Sequence, residues 1–303
     1  MSTVVVCGEG LVDLVPVAAQ PLASLVPRLG GGPLNVAVAL GRLGVPTAFC
    51  SRISTDGFGS ALIRHVEAAG VHTDLVQRGA EPSTLAVVAL RPGGAAGYSF
   101  YVQGTADRLV TDPGPLADDV AAVSFGTLSL VLEPGASVYE ALLHREHAAG
   151  TLTMLDPNIR ALLIDDADAY RARFRSWLPS VDVLKLSAED ATWLGGAPQE
   201  WLAAGVGAVV LTRGGAGLSA YTDTGVVEVG APAVKVADTI GAGDTVHGAL
   251  LAWLHGAAAL SQKGVRALEQ QQWAAALEFA AAAAAVTVSR PGADPPWQSE
   301  LAG

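Results

Sequence analysis

The stretch Asp238-Thr239-Ile240-Gly241-Ala242-Gly243-Asp244 ends in a carboxylate and runs straight into an apolar segment. Apolar residues recur at Val246, Ala249, Leu250, Trp253 and Leu254, the spacing of one helix face. A turn of small residues therefore opens a helix. Gly241 and Gly243 supply backbone freedom and keep side chains away from an approaching ligand. The first N–H groups of a helix lack intrahelical partners, and the helix dipole favours negative charge beside them. Such a turn is a ready anion site. Asp244 is then unexpected, because it adds negative charge next to the anion. Two readings stand. Asp244 is a base that takes a proton from a hydroxyl attacking a phosphoryl group, or it is a plain N-cap on a Gly-rich loop.

The segments upstream show what this turn sits on. Val4–Cys7 is a short β-branched run that reads as a central strand. From residue 120 onward, strand-like runs at 122–125, 152–155, 183–186 and 208–211 alternate with helices starting near Ser137, Tyr170, Ala188 and Pro198. Alternation of this kind means βαβ units and a mostly parallel sheet with helices on both faces. Two regions depart from it. Residues of about 11–29 and 84–104 are strand-rich and lack helical periodicity. Arg91-Pro92-Gly93-Gly94 reads as a hairpin turn, and Pro16, Pro21 and Pro27 mark an edge or irregular segment. These regions predict a small β-sheet outside the main layer, a lid over the carboxyl ends of the parallel strands.

Composition narrows the function. The chain has 303 residues, half of them hydrophobic, so a sizeable core can form. A net charge of −11 argues against nucleic acid or an anionic membrane surface as partner, while a local anion site can still bind a small anion. Cys7 and Cys50 have no ligand-like spacing, which fits a reduced cytoplasm rather than a disulfide scaffold or zinc site. The amino terminus lacks a basic n-region and predicts no signal peptide. The Ala-rich run from Ala274 to Val288 is interrupted by Glu278 and predicts a packed core helix rather than a membrane span.

In open α/β sheets, ligands bind beyond the carboxyl ends of the strands, so polar groups there are the candidates. Asp13 lies in an otherwise apolar run after the first strand, and Gly31-Gly32 brings Asn35 to a helix start. Together they offer paired acceptors and donors for sugar hydroxyls; singly, each is an ordinary structural or capping residue. Asp156-Pro157-Asn158-Ile159-Arg160 follows a strand, and Arg160 has a donor fork suited to phosphate or carboxylate. Ser187 and Asp190 have the spacing of a capping box with a shortened acid. Thr212-Arg213-Gly214-Gly215-Ala216-Gly217 is a nucleotide-contacting turn or a plain tight one. His247 is given no role. No GxxxxGK[ST] is present, which excludes a P-loop kinase.

Taken together, the chain resembles the ribokinase (PfkB) family of sugar kinases. Residues 30–71, GGGPLNVAVALGRLGVPTAFCSRISTDGFGSALIRHVEAAGV, and residues 238–251, DTIGAGDTVHGALL, carry the likeness. FYVQGTADR (100–108), LDPNIR (155–160), VLKLSAEDATWL (183–194) and SRPGADPP (289–296) are most similar to bacterial fructokinases. The resemblance implies a single ribokinase-like domain over residues 1–303, a three-layer α/β/α fold with a β-sheet lid. It implies ATP-dependent phosphorylation of a sugar, fructose foremost, with Asp244 as base and the N–H groups of Gly241, Ala242 and Gly243 as anion hole. Asp13, Gly31, Gly32 and Asn35 would hold the sugar, with Arg160 near it or the phosphate. Ser187, Asp190, Thr212, Gly214 and Gly217 would lie along ATP and Mg2+. Asp238, the Ile240 carbonyl and Gly292 would match a monovalent-cation site, K+ in the family. The chain departs from the family at Ser187-x-x-Asp190, where Asn-x-x-Glu is common, and at Pro296, where a Ser serves the cation site. Alternatives are a kinase for ribose, 2-keto-3-deoxygluconate or a nucleoside, a non-catalytic sugar sensor, and a weaker oxidoreductase reading from Gly8-x-Gly10. Pairing of two lids would give a homodimer.

Overall fold

Val4 and Val6 point to one side of the first strand and Val5 and Cys7 to the other, and both pairs are fully buried. A strand with two apolar faces belongs inside a sheet covered on both sides. The computed structural model, which describes residues 2–18, 20, 22–90 and 96–301, has that sheet. Its strands are β1 (Thr3–Cys7), then, counting on past two strands of a second sheet, β4 (Thr47–Ser54), β5 (Val76–Gly79), β8 (Val120–Gly126), β9 (Leu152–Asp156), β10 (Val183–Ser187), β11 (Ala208–Thr212), β12 (Leu218–Thr222) and β13 (Gly225–Val229). The order is β13-β12-β11-β10-β9-β8-β1-β4-β5. From β11 to β5 every pairing is parallel, and β12 and β13 close one edge antiparallel.

One face is covered by α1 (Gly32–Arg42), α2 (Gly57–Ala68), α7 (Ala242–Gly256), α8 (Gln262–Ala267) and α9 (Gln270–Val288). The other carries α3 (Gly135–Ala149), α4 (Ala167–Trp177), α5 (Ala188–Leu194) and α6 (Pro198–Ala203). Trp177 and Phe174 of α4 and Trp201 of α6 meet edge-on in that second core. Each fully buried Val or Leu in these layers is worth about 1.5–3 kcal/mol over an exposed one. The Ala-rich segment is the core helix α9, whose Ala276, Ala280 and Ala283 are fully buried. A buried hydrogen bond of 2.9 Å between Thr245 and Thr287 ties it to α7. Among the described residues no helix is long and apolar enough to cross a membrane.

The two helix-free regions form the second sheet, of β2 (Leu11–Pro16), β3 (Leu25–Gly30), β6 (Thr84–Leu90) and β7 (Ala96–Tyr101), in the order β3-β2-β6-β7. The hairpin turn at Arg91-Pro92-Gly93-Gly94 and the edge residue Pro21 lie outside the described residues. β2 and β6 run parallel, whereas the pairs β2–β3 and β6–β7 are antiparallel. Leu11 and Asp13 of β2, and Tyr98 and Phe100 of β7, share one cleft with residues at the carboxyl ends of β9, β10 and β11.

Candidate active site

That cleft has a volume of about 590 Å3. Its floor is made where the parallel strands end, by Lys185 and Ser187 of β10 and Thr212 of β11, with the start of α7 at one side. Of the residues singled out from the sequence, Asp13, Gly31, Gly32, Asn35, Arg160, Ser187, Asp190, Thr212, Ile240, Gly241, Gly243 and Asp244 all line it. Ala242, Gly214, Gly217, Asp238 and Gly292 do not.

α7 starts at Ala242, and its N-cap is Gly241 with φ 76°. Asp244 is therefore in the first turn, and the reading of Asp244 as the N-cap is corrected. Its carboxylate takes no N–H from its own helix; Oδ2 accepts a 2.8 Å hydrogen bond from Asn35 Nδ2 on α1. Burial raises the Asp244 carboxyl to about 6, while the Asn35 hydrogen bond and the Lys185 charge pull it down. The N–H of Ala242 reaches Thr239 O at 3.3 Å, so Gly241 and Gly243 are the members of the turn that face the cleft.

Asp13 sits within β2 rather than at a strand end, opposite Arg28 and Ala86. Burial raises it too to about 6; Arg160 lowers it and Asp244 raises it further. Gly31 has φ 108°, and a Cβ there would stand 2.7 Å from Glu9 O, so only glycine fits the bend into α1. Arg160 donates through Nη1 to Asn158 Oδ1 at 2.7 Å and to the Asn158 carbonyl at 3.0 Å.

Ser187 and Asp190 form a full capping box at the start of α5. Asp190 Oδ2 accepts from the Ser187 backbone and hydroxyl, and Oδ1 accepts from Ile159 N–H at 2.8 Å. With both oxygens engaged, Asp190 suits a water-mediated metal contact better than a direct one. Glu189 beside it is exposed and lines the cleft. Among the described residues no three His, Cys, Asp or Glu side chains gather into a metal site. Gly214 and Gly217 form the tight turn after β11, closed by Arg213 N–H to Gly217 O at 2.9 Å. Asp238 bridges two segments: Oδ1 accepts from Ile240 N–H at 3.1 Å and Oδ2 from Gly292 N–H at 2.8 Å. Both oxygens of Asp238 are thereby engaged by backbone N–H groups, which tie the segment at Ile240 to the one at Gly292.

Two residues escaped the sequence reading. Lys185 is buried in the middle of β10, and its Nζ donates to Asp156 Oδ2 at 2.7 Å. The signal was a lone cation in the apolar run Val183–Leu186. Glu9 is buried at the cleft, with Oε2 accepting from Ser129 N–H at 3.0 Å, and burial raises it to about 7. It was visible only as the middle of Gly8-Glu9-Gly10.

A parallel α/β sheet whose strand ends face a helix N-terminus, a buried carboxylate and a second carboxylate on a covering sheet defines a small-molecule phosphotransferase. The chain belongs to the pfkB family of carbohydrate kinases, whose sequence profile matches residues 1–300. It is 39% identical over 274 residues to a fructokinase of Rhizobium leguminosarum bv. trifolii, covering 88% of this chain and 83% of that one. It is similar to the crystal structure of a fructokinase with bound ATP from Xylella fastidiosa, at a TM-score of 0.88, 31% identity and coverage of 99% and 96%. A fructokinase double mutant of Vibrio cholerae O395 in fructose, ADP and potassium ion bound form aligns at a TM-score of 0.86 and 26% identity, covering 99% and 97%. The enzyme is thus a phosphotransferase with an alcohol group as acceptor.

Proposed function

We propose that this chain is an ATP-dependent sugar kinase that phosphorylates D-fructose to fructose 6-phosphate, with Asp244 as general base. The observation that carries the reading is the buried Asp244, held by Asn35 at the N-terminus of α7, in one cleft with Asp13. The fructokinase relatives favour fructose over ribose, 2-keto-3-deoxygluconate or a nucleoside as acceptor.

In this reading Asp13, Asn35 and the Gly31-Gly32 bend hold the sugar. Its C6 hydroxyl gives its proton to Asp244 as the oxygen bonds to the γ-phosphorus of ATP, and the bond from that phosphorus to the β–γ bridging oxygen breaks. The N–H groups of Gly241 and Gly243 meet the charge on the phosphoryl group, and Arg160 adds a cation at the cleft's rim. Ser187, Thr212 and the Gly214–Gly217 turn lie along the nucleotide. Mg2+ arriving with the nucleotide would supply charge neutralisation, with Glu189 and Asp190 nearby; Asp238 and the Ile240 carbonyl, beside Gly292, would hold K+. The small sheet acts as the lid. Its exposed Leu25, Val26 and Tyr101 favour a homodimer through it, which light scattering would report as twice the chain mass. The low thiol count and the acidic surface fit a cytoplasmic enzyme.

A coupled ADP-release assay over a sugar panel tests the reading. Fructose should give the highest kcat/KM; a preference for another sugar would replace the acceptor, and turnover with none would leave a sensor. The pH profile follows from the two acids near 6. Asp244 must be ionised to act, so kcat/KM should fall as pH drops through about 6, with a slope steeper than one because Asp13 titrates in the same range. Stability moves the other way. Both carboxyls are raised above their unfolded values, so the stability they lend is full below about pH 4 and lost as pH rises through about 6. Thermal melts across pH 4–7 of wild type and Asp244→Asn should differ in that slope.

A further inference from the structure

We infer that Lys185 is a catalytic residue of the phosphoryl transfer, its ammonium meeting the oxygens of the phosphoryl group together with the N–H groups at the start of α7. The inference rests on the kinase reading above. Lys185 is 3% exposed, yet it lines the cleft. Its Nζ lies 3.0 Å from the point where a Cβ on Gly243 would stand, so the ammonium is packed against the glycine of the anion turn. One of its three N–H donors goes to Asp156 Oδ2. No other hydrogen bond of this ammonium is made among the described residues. A second anchor on Asp156, the N–H of Asn158 at 3.1 Å to Oδ1, fixes the carboxylate that aims the lysine.

A buried ion pair is a poor device for stability, since an apolar pair of similar volume serves as well or better. Its place here is explained by the chemistry. Before ATP enters, Asp156 neutralises the ammonium. During transfer the lysine keeps its protons: the hydroxyl proton goes to Asp244, the sugar oxygen gains phosphorus and the β-phosphate oxygen loses it. Lys185 supplies only positive charge where the equatorial oxygens carry negative charge. The same charge helps hold Asp244 ionised.

The test is the double substitution Lys185→Met/Asp156→Asn, which removes the pair without stranding a buried charge. Calorimetric binding of ATP and of fructose should stay within about threefold of wild type. kcat should fall about 10²-fold, and the affinity for ADP, fluoroaluminate and fructose bound together should fall in step with it. A merely structural lysine would weaken ground-state and transition-state complexes alike, or neither, and either result overturns the inference. Lys185→Gln serves the same comparison if the double variant does not fold. Wild-type enzyme is the control: if it releases no ADP with any sugar, the kinase reading has failed, whereas turnover by both proteins at similar rates removes only the role of Lys185.

Discussion

Asp244→Ala should fold and bind ATP, and lose about 10²–10⁴-fold in kcat. The size follows from what the residue touches. Asp244 is buried and its carboxylate is positioned from outside its own helix, by Asn35 on α1. It caps nothing in α7, so truncation leaves the helix start intact and removes only the proton acceptor. The lost carboxylate also relieves the cost of a buried charge, so thermal stability should hold or rise slightly. Single-turnover kinetics with saturating fructose and ATP isolate the chemical step, and near wild-type turnover there would sink the base assignment.

Gly241→Val should lower kcat about 10²–10³-fold by displacing the anion turn. Gly241 has φ 76°, a left-handed conformation that a β-branched residue tolerates poorly. Any Cβ there would stand 2.6 Å from Ala293 Cβ and 2.9 Å from Ala293 Cα, so the loop or the C-terminal segment must move. That segment is pinned, because Arg42 bonds Asp294 and the Pro295 carbonyl at 2.5 Å each. The turn therefore gives way, taking the N–H groups of Gly241 and Gly243 with it. Strain of about 1–3 kcal/mol should also appear as a lower midpoint in urea, while the KM for fructose changes less than kcat. A variant with unaltered kcat would show that the turn's amides do not act on the phosphoryl group.

Much of this was legible because it is local. The run Asp238–Asp244 announces its own turn and helix, and Ser187-x-x-Asp190 its capping box, since each motif is satisfied within a few residues. The alternation of strands and helices from residue 120 gave the layers. What stayed hidden depends on partners far along the chain. Lys185 reads as a misplaced charge until β9 brings Asp156 beside it from 29 positions away. Glu9 looked like the middle of a failed dinucleotide fingerprint, and only the fold shows it facing Ser129 N–H across 120 positions. The edge hairpin of β12 and β13 was missed as well, because its alternating, partly polar strands lack the apolar continuity of the buried ones. Asp244 itself was ambiguous for the same reason. The cap reading is excluded by Gly241 taking the N-cap position and by Asn35, 209 residues earlier, holding the carboxylate.

That bond from Asn35 also bears on regiochemistry. It engages one lone pair of Oδ2 of Asp244 and leaves Oδ1 without a hydrogen bond, so Oδ1 is the freer oxygen to accept a proton. A carboxylate held on one side presents its freer oxygen in one direction in space. Asn35 lines the cleft beside Asp13 as well, so the side chain that holds the Asp244 carboxylate also faces the space next to Asp13. With Asp244 as the proposed base, which hydroxyl reacts would be set by how the ring sits between α1 and β2, not by which hydroxyl is most acidic. A sugar seated upside down would present the wrong oxygen to a base that cannot turn to meet it, and would leave unphosphorylated rather than as the wrong isomer.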